Sequence, residues 1–217
     1  MKVGILGTGV VGSTLGSKLI QTGHEVKMGS RCANNSRAGE WVRANGVRAS
    51  FGTFADAAAF GEVLFNCTAG TVSLAALRLA GAANLKGKVL IDVANPLDFS
   101  KGMPPTLSVC NSDSLGEQIQ RAFPSVRVVK ALNTMNCRVM VEPSLISGEH
   151  DVFVCGNDPQ AKGAAVEILR SLGWRSIVDL GDITAARGTE MLLPIWLRLW
   201  SLYQNQNFNF RIAHSRL

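Results

Sequence analysis

Short apolar runs alternate with amphipathic stretches along almost the whole chain. "KVGIL" (2–6) predicts a strand, and the apolar positions Val11, Leu15, Leu19 and Ile20 that follow it have helical spacing and stop at Gly23. "HEVKMGS" (24–30) predicts a second strand, "SRAGEWVRAN" (36–45) a helix and "GVRAS" (46–50) a short third strand. The pattern continues with a helix in "TFADAAAF" (53–60), a strand in "EVLFNCT" (62–68), a helix in "VSLAALRLAGAA" (72–83) and a strand in "KVLIDVAN" (88–95). The second half predicts helices at 113–123 and 159–173 and strands at "RVVKALNT" (127–134), "DVFVCGND" (151–158) and "WRSIVDLGD" (174–182). Strands that are apolar throughout and regularly followed by helices predict a parallel sheet covered on both faces. With no Pro-, Gly- or Ser-rich linker and no internal repeat, one continuous α/β domain over 1–217 is expected.

In an open parallel sheet, ligands bind where the loops leave the carboxyl ends of the strands. Those loops read "GTGVVG", "GSRCANN", "CTAGTV" and "ANPLD". The first places Gly7, Gly9 and Gly12 at G-x-G-x-x-G spacing between a strand and a helix. In such a unit the first glycine permits a tight turn, the second lets backbone amides approach a pyrophosphate, and the third lets helix and strand lie close. The unpaired N–H groups and dipole of the helix start then face the anion. A dinucleotide site is the reading.

Dinucleotide sites selective for NAD place an acidic side chain about 20 residues beyond the glycines, on the adenosine ribose. Here "MGSRCANN" stands at that point, and no Asp or Glu follows until Glu40. Ser30 and Arg31 take the acidic residue's place, and a guanidinium suits a 2′-phosphate. NADP is therefore expected over NAD.

The net charge of +6 suits an anionic coenzyme; the basic residues are scattered without aromatic interleaving, so nucleic acid is not an expected partner. Met1-Lys2 leads straight into the first strand and no apolar run is long enough to span a bilayer, so a cytoplasmic location without membrane contact is expected. The five cysteines are far apart with no C-x-x-C pair, which argues for reduced thiols and against a metal site. The three histidines fall at a turn, a loop and the tail, and no nucleophile–base pair is evident, so no catalytic side chain is assigned. The closing stretch "TAARGTEMLLPIWLRLWSLY" (184–203) is apolar over most of its surface, with Pro194 expected to kink it. A homodimer through this helix and the tail, about 182–217, is expected, with "NFNFRI" (207–212) able to add an edge strand.

The residues "GTGVVGSTLGSKLIQTGHEVKMGSR", "RVVKALNT" and "VCGND" resemble the NADP oxidoreductases that use the deazaflavin coenzyme F420, and also the flavin-linked cytoplasmic domain of the metalloreductases. The resemblance implies a Rossmann-type NAD(P)-binding domain with a doubly wound parallel sheet and a small C-terminal helical extension. It implies hydride exchange between NADP(H) and a deazaflavin or flavin as small-molecule redox partner. By the same resemblance, Thr8, Gly9 and Val10 line the pyrophosphate, Val11 is a further cofactor contact, and Ser30 and Arg31 take the 2′-phosphate. Cys67, Thr68, Ala69 and Gly70, with Ala94, Asn95 and Pro96, run along the nicotinamide half. A family lysine near the 2′-phosphate falls at Asn35, which carries no charge. Where deazaflavin-using members have a histidine, this chain has Asn133 before Thr134, and these two are the expected acceptor contacts.

Two other readings share the nucleotide half. A direct reductase of imine, keto or hydroxy-acid substrates generally adds a long helical domain, and little chain remains here after the last strand. A non-enzymatic NADPH-binding redox sensor predicts tight binding without turnover.

Overall fold

The computed structural model describes residues 1–215. Ten strands and ten α-helices form in the order β1 (Lys2–Leu6), α1 (Val10–Gln21), β2 (Glu25–Ser30), α2 (Ser36–Asn45), β3 (Ala49–Thr53), α3 (Phe54–Phe60), β4 (Val63–Asn66), α4 (Ser73–Ala80), α5 (Ala82–Leu85), β5 (Val89–Asp92), β6 (Leu97–Asp98), β7 (Thr106–Leu107), α6 (Leu115–Ala122), β8 (Arg127–Ala131), α7 (Cys137–Val141), β9 (Asp151–Cys155), α8 (Pro159–Ser171), β10 (Ser176–Asp179), α9 (Ala186–Met191) and α10 (Leu193–Tyr203). Eight strands make one sheet in the order β10-β9-β8-β5-β4-β1-β2-β3, and β6 pairs with β7 as a small separate ribbon.

The sheet is parallel from β3 to β8, in the Rossmann manner, and the apolar runs explain why. Every residue of β4 and β5 is buried, because helices cover both faces. Leu15 and Leu19 of α1, Trp41 of α2 and Ile168 and Leu169 of α8 pack on one face. Phe54 of α3, Leu77 of α4, Ile119 of α6 and Ala186 of α9 pack on the other. A fully buried Leu or Ile contributes about 1.5–3 kcal/mol, so these two layers supply the main stabilisation.

Several expectations are corrected. β9 runs antiparallel to β8, with Lys130 opposite Cys155 and Ala131 opposite Val154, so β9 and β10 point against the other strands. Gly46–Arg48 forms a 3-10 turn and the third strand lies at Ala49–Thr53. There Thr53 ends the strand by capping α3, exchanging hydrogen bonds with Asp56. Gly81, at φ 88°, breaks the predicted 72–83 helix between α4 and α5. The closing apolar stretch divides next to Pro194: α9 ends at Met191, Leu192 joins the two helices with helical backbone angles, and the proline sits in the first turn of α10, where its missing N–H costs nothing. The segment at 207–212 forms no strand: it lies against the start of β9, where the Asp151 N–H donates to the Phe210 carbonyl at 2.9 Å and the Asn209 amide to the Asp151 carbonyl at 2.8 Å.

Candidate functional site

The glycine turn joins β1 to α1, and its three glycines meet different constraints. Gly7 has φ 125°, and a Cβ there would strike the Cys67 carbonyl oxygen at 2.6 Å. A Cβ on Gly12 would lie 2.5 Å from the Gly7 carbonyl oxygen, so α1 starts in contact with the strand end. Gly9 is different. Its φ of −81° suits any residue, and a Cβ would meet nothing within 4 Å. Nothing in the protein itself requires glycine at that point; the open space in front of an uncapped helix N-terminus, with no acidic residue in its first turn, fits a pyrophosphate. Thr8 is half-buried beside it, and Val10 is 72% exposed, although apolar, at the first position of α1.

At the end of β2, the Gly7 N–H donates to the Gly29 carbonyl at 3.0 Å, which brings the following residues beside the glycine turn. Arg31 is exposed, and among the described residues no carboxylate pairs with it. Ser30 is buried. Its hydroxyl donates to the Cys32 carbonyl at 2.5 Å and accepts from the Cys32 N–H at 3.1 Å, so its one proton holds the loop rather than facing out. Asn35 caps α2, its side-chain oxygen accepting from the Ala38 N–H at 3.0 Å. Two residues beyond that cap, exposed Arg37 in the first turn of α2 is a second cation at this end, which the sequence reading passed over.

The ends of β1, β4, β5 and β8 open onto a cavity of about 430 Å³. Val10, Val11, Cys67, Thr68, Ala69 and Gly70 line it, as do Ala94 and Asn95. The two loops are in backbone contact, since a Cβ on Gly70 would collide with the Asn95 carbonyl. Pro96 is buried behind that wall, its carbonyl accepting from the Ser108 N–H at 2.8 Å.

Asn133 and Thr134 are both buried and do not line the cavity. β8 ends at Ala131, and Leu132 takes a left-handed φ of 64°, which turns the next side chain away. The Asn133 amide nitrogen donates to Asn95 Oδ1 at 2.9 Å, and the Asn95 amide nitrogen to the Asn133 carbonyl at 2.7 Å. The far wall comes instead from Met135, Asn136, Cys137 and Met140, with Phe99 of the loop after β6 and Trp196 of α10. Asn136 caps α7 and also bonds the Gln206 side chain, and Trp196 stacks on Phe208 at 5.2 Å, so the tail braces this wall. The sequence signal for the wall was "NTMNC" immediately after a strand end.

A buried polar network underlies the loops. Lys130, fully buried at the end of β8, donates to Asp92 at 2.8 Å, to Glu190 at 2.8 Å and to the Ala94 carbonyl at 2.5 Å. Burial works against its charge, but Asp92 and Glu190 outweigh burial and hold its pKa above the ordinary lysine value. Asp92 Oδ1 accepts from Asn66 at 2.8 Å, and Asn66 Oδ1 accepts from the Thr68 hydroxyl at 2.7 Å. Of the cavity's thiols, Cys67 is pushed up from the usual thiol value, first by burial and then by the Asp92 charge, so it stays protonated at neutral pH.

Residues 2–96, which hold the glycine turn, the Arg31 loop and the first cavity loops, match the family model described as NADP oxidoreductase, coenzyme F420-dependent. The F420-dependent NADP reductase of Methanocaldococcus jannaschii is 26% identical over 99% of both chains. Metalloreductase STEAP3 of Rattus norvegicus is 29% identical over 90% of this chain, but the chain spans only 38% of that protein's length. A crystal structure from Arthrobacter sp. FB24, described provisionally as an F420-dependent NADP-reductase, superposes with a TM-score of 0.94 at 52% identity, over 99% of this chain and 100% of the other. On the family match and the 52% identity along the whole length of both chains, the chain belongs to the coenzyme F420-dependent NADP oxidoreductase family and is an NADP-dependent oxidoreductase.

Proposed function

We propose that the chain exchanges hydride between NADP(H) and a planar deazaflavin or flavin, such as coenzyme F420, held in the strand-end cavity. The observation that carries this is the chemistry of the lining: among the described residues that form the cavity wall there is no Asp, Glu, His, Lys, Arg or Tyr. A ketone or imine needs a proton at oxygen or nitrogen as well as hydride at carbon, and enzymes supply it from a placed acid. Cys67, with its raised pKa, is a poor source. When bound, the nicotinamide and the acceptor ring carry the electronic work of hydride transfer between them.

The protein's part is to bind, orient and keep water out. The amides of the Gly7–Gly12 turn hold the pyrophosphate, and Arg31, with Arg37 nearby in sequence, holds the 2′-phosphate by charge-assisted hydrogen bonds. Cys67 to Gly70 and Ala94 to Asn95 frame the nicotinamide half. Val10, Val11, Phe99, Met135, Met140 and Trp196 supply apolar surface against which two flat rings can be held in contact. The same chain pairs as a homodimer through α10, where Ile195 and Leu202, two turns apart on one face, are 51% and 72% exposed and Tyr203 is 58% exposed. No helix among the described residues is long and apolar enough to cross a membrane.

The test is stopped-flow oxidation of NADPH with coenzyme F420, FMN, FAD, a ferric chelate and a cyclic imine offered in turn. Fast transfer to a deazaflavin or flavin, with little pH dependence between about pH 6 and 8 because no Asp, Glu, His, Lys, Arg or Tyr lines the site and the Cys67 thiol is held protonated, is the expected result. Turnover of the imine alone would move the assignment to a direct reductase, and tight NADPH binding with no acceptor reduced would make the protein a sensor.

A further inference from the structure

The cavity loops are joined to a buried ion cluster that touches no solvent. Lys130 has three N–H donors and three acceptors: Asp92 Oδ2 at 2.8 Å, Glu190 Oε1 at 2.8 Å and the Ala94 carbonyl at 2.5 Å. Each acceptor leads elsewhere. The Ala94 carbonyl belongs to the loop that lines the cavity on one side. Asp92 also accepts from the Ala94 N–H at 3.3 Å and from Asn66 at 2.8 Å. Asn66 in turn takes hydrogen bonds from the Thr68 hydroxyl at 2.7 Å and the Thr68 N–H at 3.3 Å, and donates to Ser73 at 3.0 Å at the start of α4. Glu190, on α9, accepts from the Leu115 and Gly116 N–H groups at 2.8 and 3.1 Å, at the start of α6.

A lysine costs much to bury, and a cluster of one cation and two anions is no more stabilising than a well-packed apolar one. Its distinctive property is geometric, because charge-assisted bonds fix donor and acceptor positions more tightly than dispersion contacts do. Here the fixed positions are the ends of the neighbouring strands β4, β5 and β8 and the loops that leave β4 and β5.

We infer that Lys130 is a positioning residue for hydride transfer: through Ala94 directly, and through Asp92 and Asn66 to Thr68, it sets the spacing of the two loops that frame the nicotinamide half. The inference rests on the reading that the nicotinamide lies between those loops. Lys130 itself touches no ligand. Its partner Glu190 has a different task, anchoring α6, and removing its charge leaves the Lys130 bonds to Asp92 and Ala94 in place.

That difference provides the control. Lys130→Met alone strands two buried carboxylates, so the decisive protein is Lys130→Met combined with Glu190→Gln, compared with Glu190→Gln alone. Amide hydrogen exchange is followed at Thr68 and Ala94 in each full-length protein, with and without NADPH, alongside single-turnover NADPH oxidation by coenzyme F420 and FMN. Both variants are expected to lose thermal stability. Only the double variant is expected to expose the Thr68 and Ala94 amides and to slow transfer by about tenfold or more, since small misplacements of reacting groups cost that much, while NADPH affinity changes less than the rate. Equal exchange at Thr68 and Ala94 in the two variants overturns the role of Lys130. Wild-type protein in which NADPH leaves the exchange of residues 67–70 and 94–95 unchanged overturns the underlying reading, and the inference with it.

Discussion

Asn95 and Asn133 hold each other across the ends of two strands, each amide nitrogen donating to the other residue, at 2.7 and 2.9 Å. Asn133 thus acts on the cavity from behind, by fixing the residue that lines it.

Asn133→Leu removes the Asn133 side-chain donor and leaves Asn95 Oδ1 without its partner. Asn95 is only half-buried, and the variant also removes Asn133 Oδ1, which is buried without a partner, so the expected cost is that of one net hydrogen bond, about 0.5–1.5 kcal/mol. Because Asn95 belongs to the loop framing the nicotinamide half, NADPH affinity should fall as well. Urea unfolding with calorimetric NADPH titration measures both. Unchanged stability with selective loss of acceptor binding would place the Asn133 side chain in the cavity after all.

Gly9→Val should fold as wild type, since a Cβ there meets no protein atom within 4 Å and the backbone is already extended. It should bind NADPH poorly, because the branched side chain fills the space in front of the first turn of α1. The same change at Gly12 would do the opposite, damaging the fold first, as its Cβ would press on the Gly7 carbonyl. Melting curves and titrations of both variants separate the two glycine roles; a Gly9→Val protein with full NADPH affinity would reduce the loop to a turn.

Arg31→Ala should weaken NADPH more than NADH. A charge-assisted contact contributes about 1.5–3 kcal/mol, which corresponds to roughly 10- to 150-fold in affinity. Arg37→Ala should add to the loss, whereas Ser30→Ala should act mainly on the loop, whose Cys32 contacts it removes. Equal ratios of NADPH to NADH affinity in wild type and the Arg31→Ala, Arg37→Ala double variant would count against this placement of the 2′-phosphate.

The glycine turn and its order of strands and helices were legible because periodicity and backbone-special residues are local properties. The direction of β9 was not. "DVFVC" is apolar at each position that matters and reads alike in either direction, so nothing local distinguishes a crossover from a reversal. Similarly, no pattern announced that Leu132 would take a left-handed turn, and that single φ decides whether Asn133 faces the cavity or its neighbour. The closing stretch reads as a dimer face because it is apolar; that its Trp196 also closes the cavity depends on how α10 returns over the sheet. The Lys130 cluster is a product of topology, since Asp92, Lys130 and Glu190 lie on separate elements far apart in sequence.

Acid should loosen the link between α9 and α6. Arg187 of α9 makes paired hydrogen bonds with Glu117 of α6, at 2.8 and 2.5 Å, and Arg121 pairs with Asp113 at 2.9 and 2.7 Å. The Arg187 hydrogen bonds hold the Glu117 carboxyl below its ordinary value of 4.5, and those from Arg121 bring Asp113 from 3.8 to about 2. Both carboxyls therefore bind protons more readily in the unfolded chain. Their contribution is complete above about pH 4.5 and is lost progressively as pH falls from there toward about 2. Since Arg187 and Arg121 are partly exposed, solvent screens the interaction and the effect should be modest. Urea midpoints taken between pH 7 and 3 should show a shallower acid decline in Glu117→Gln than in wild type, from a lower starting stability at pH 7. An identical slope in the two proteins would mean that the Arg187–Glu117 pair does not tie α9 to α6.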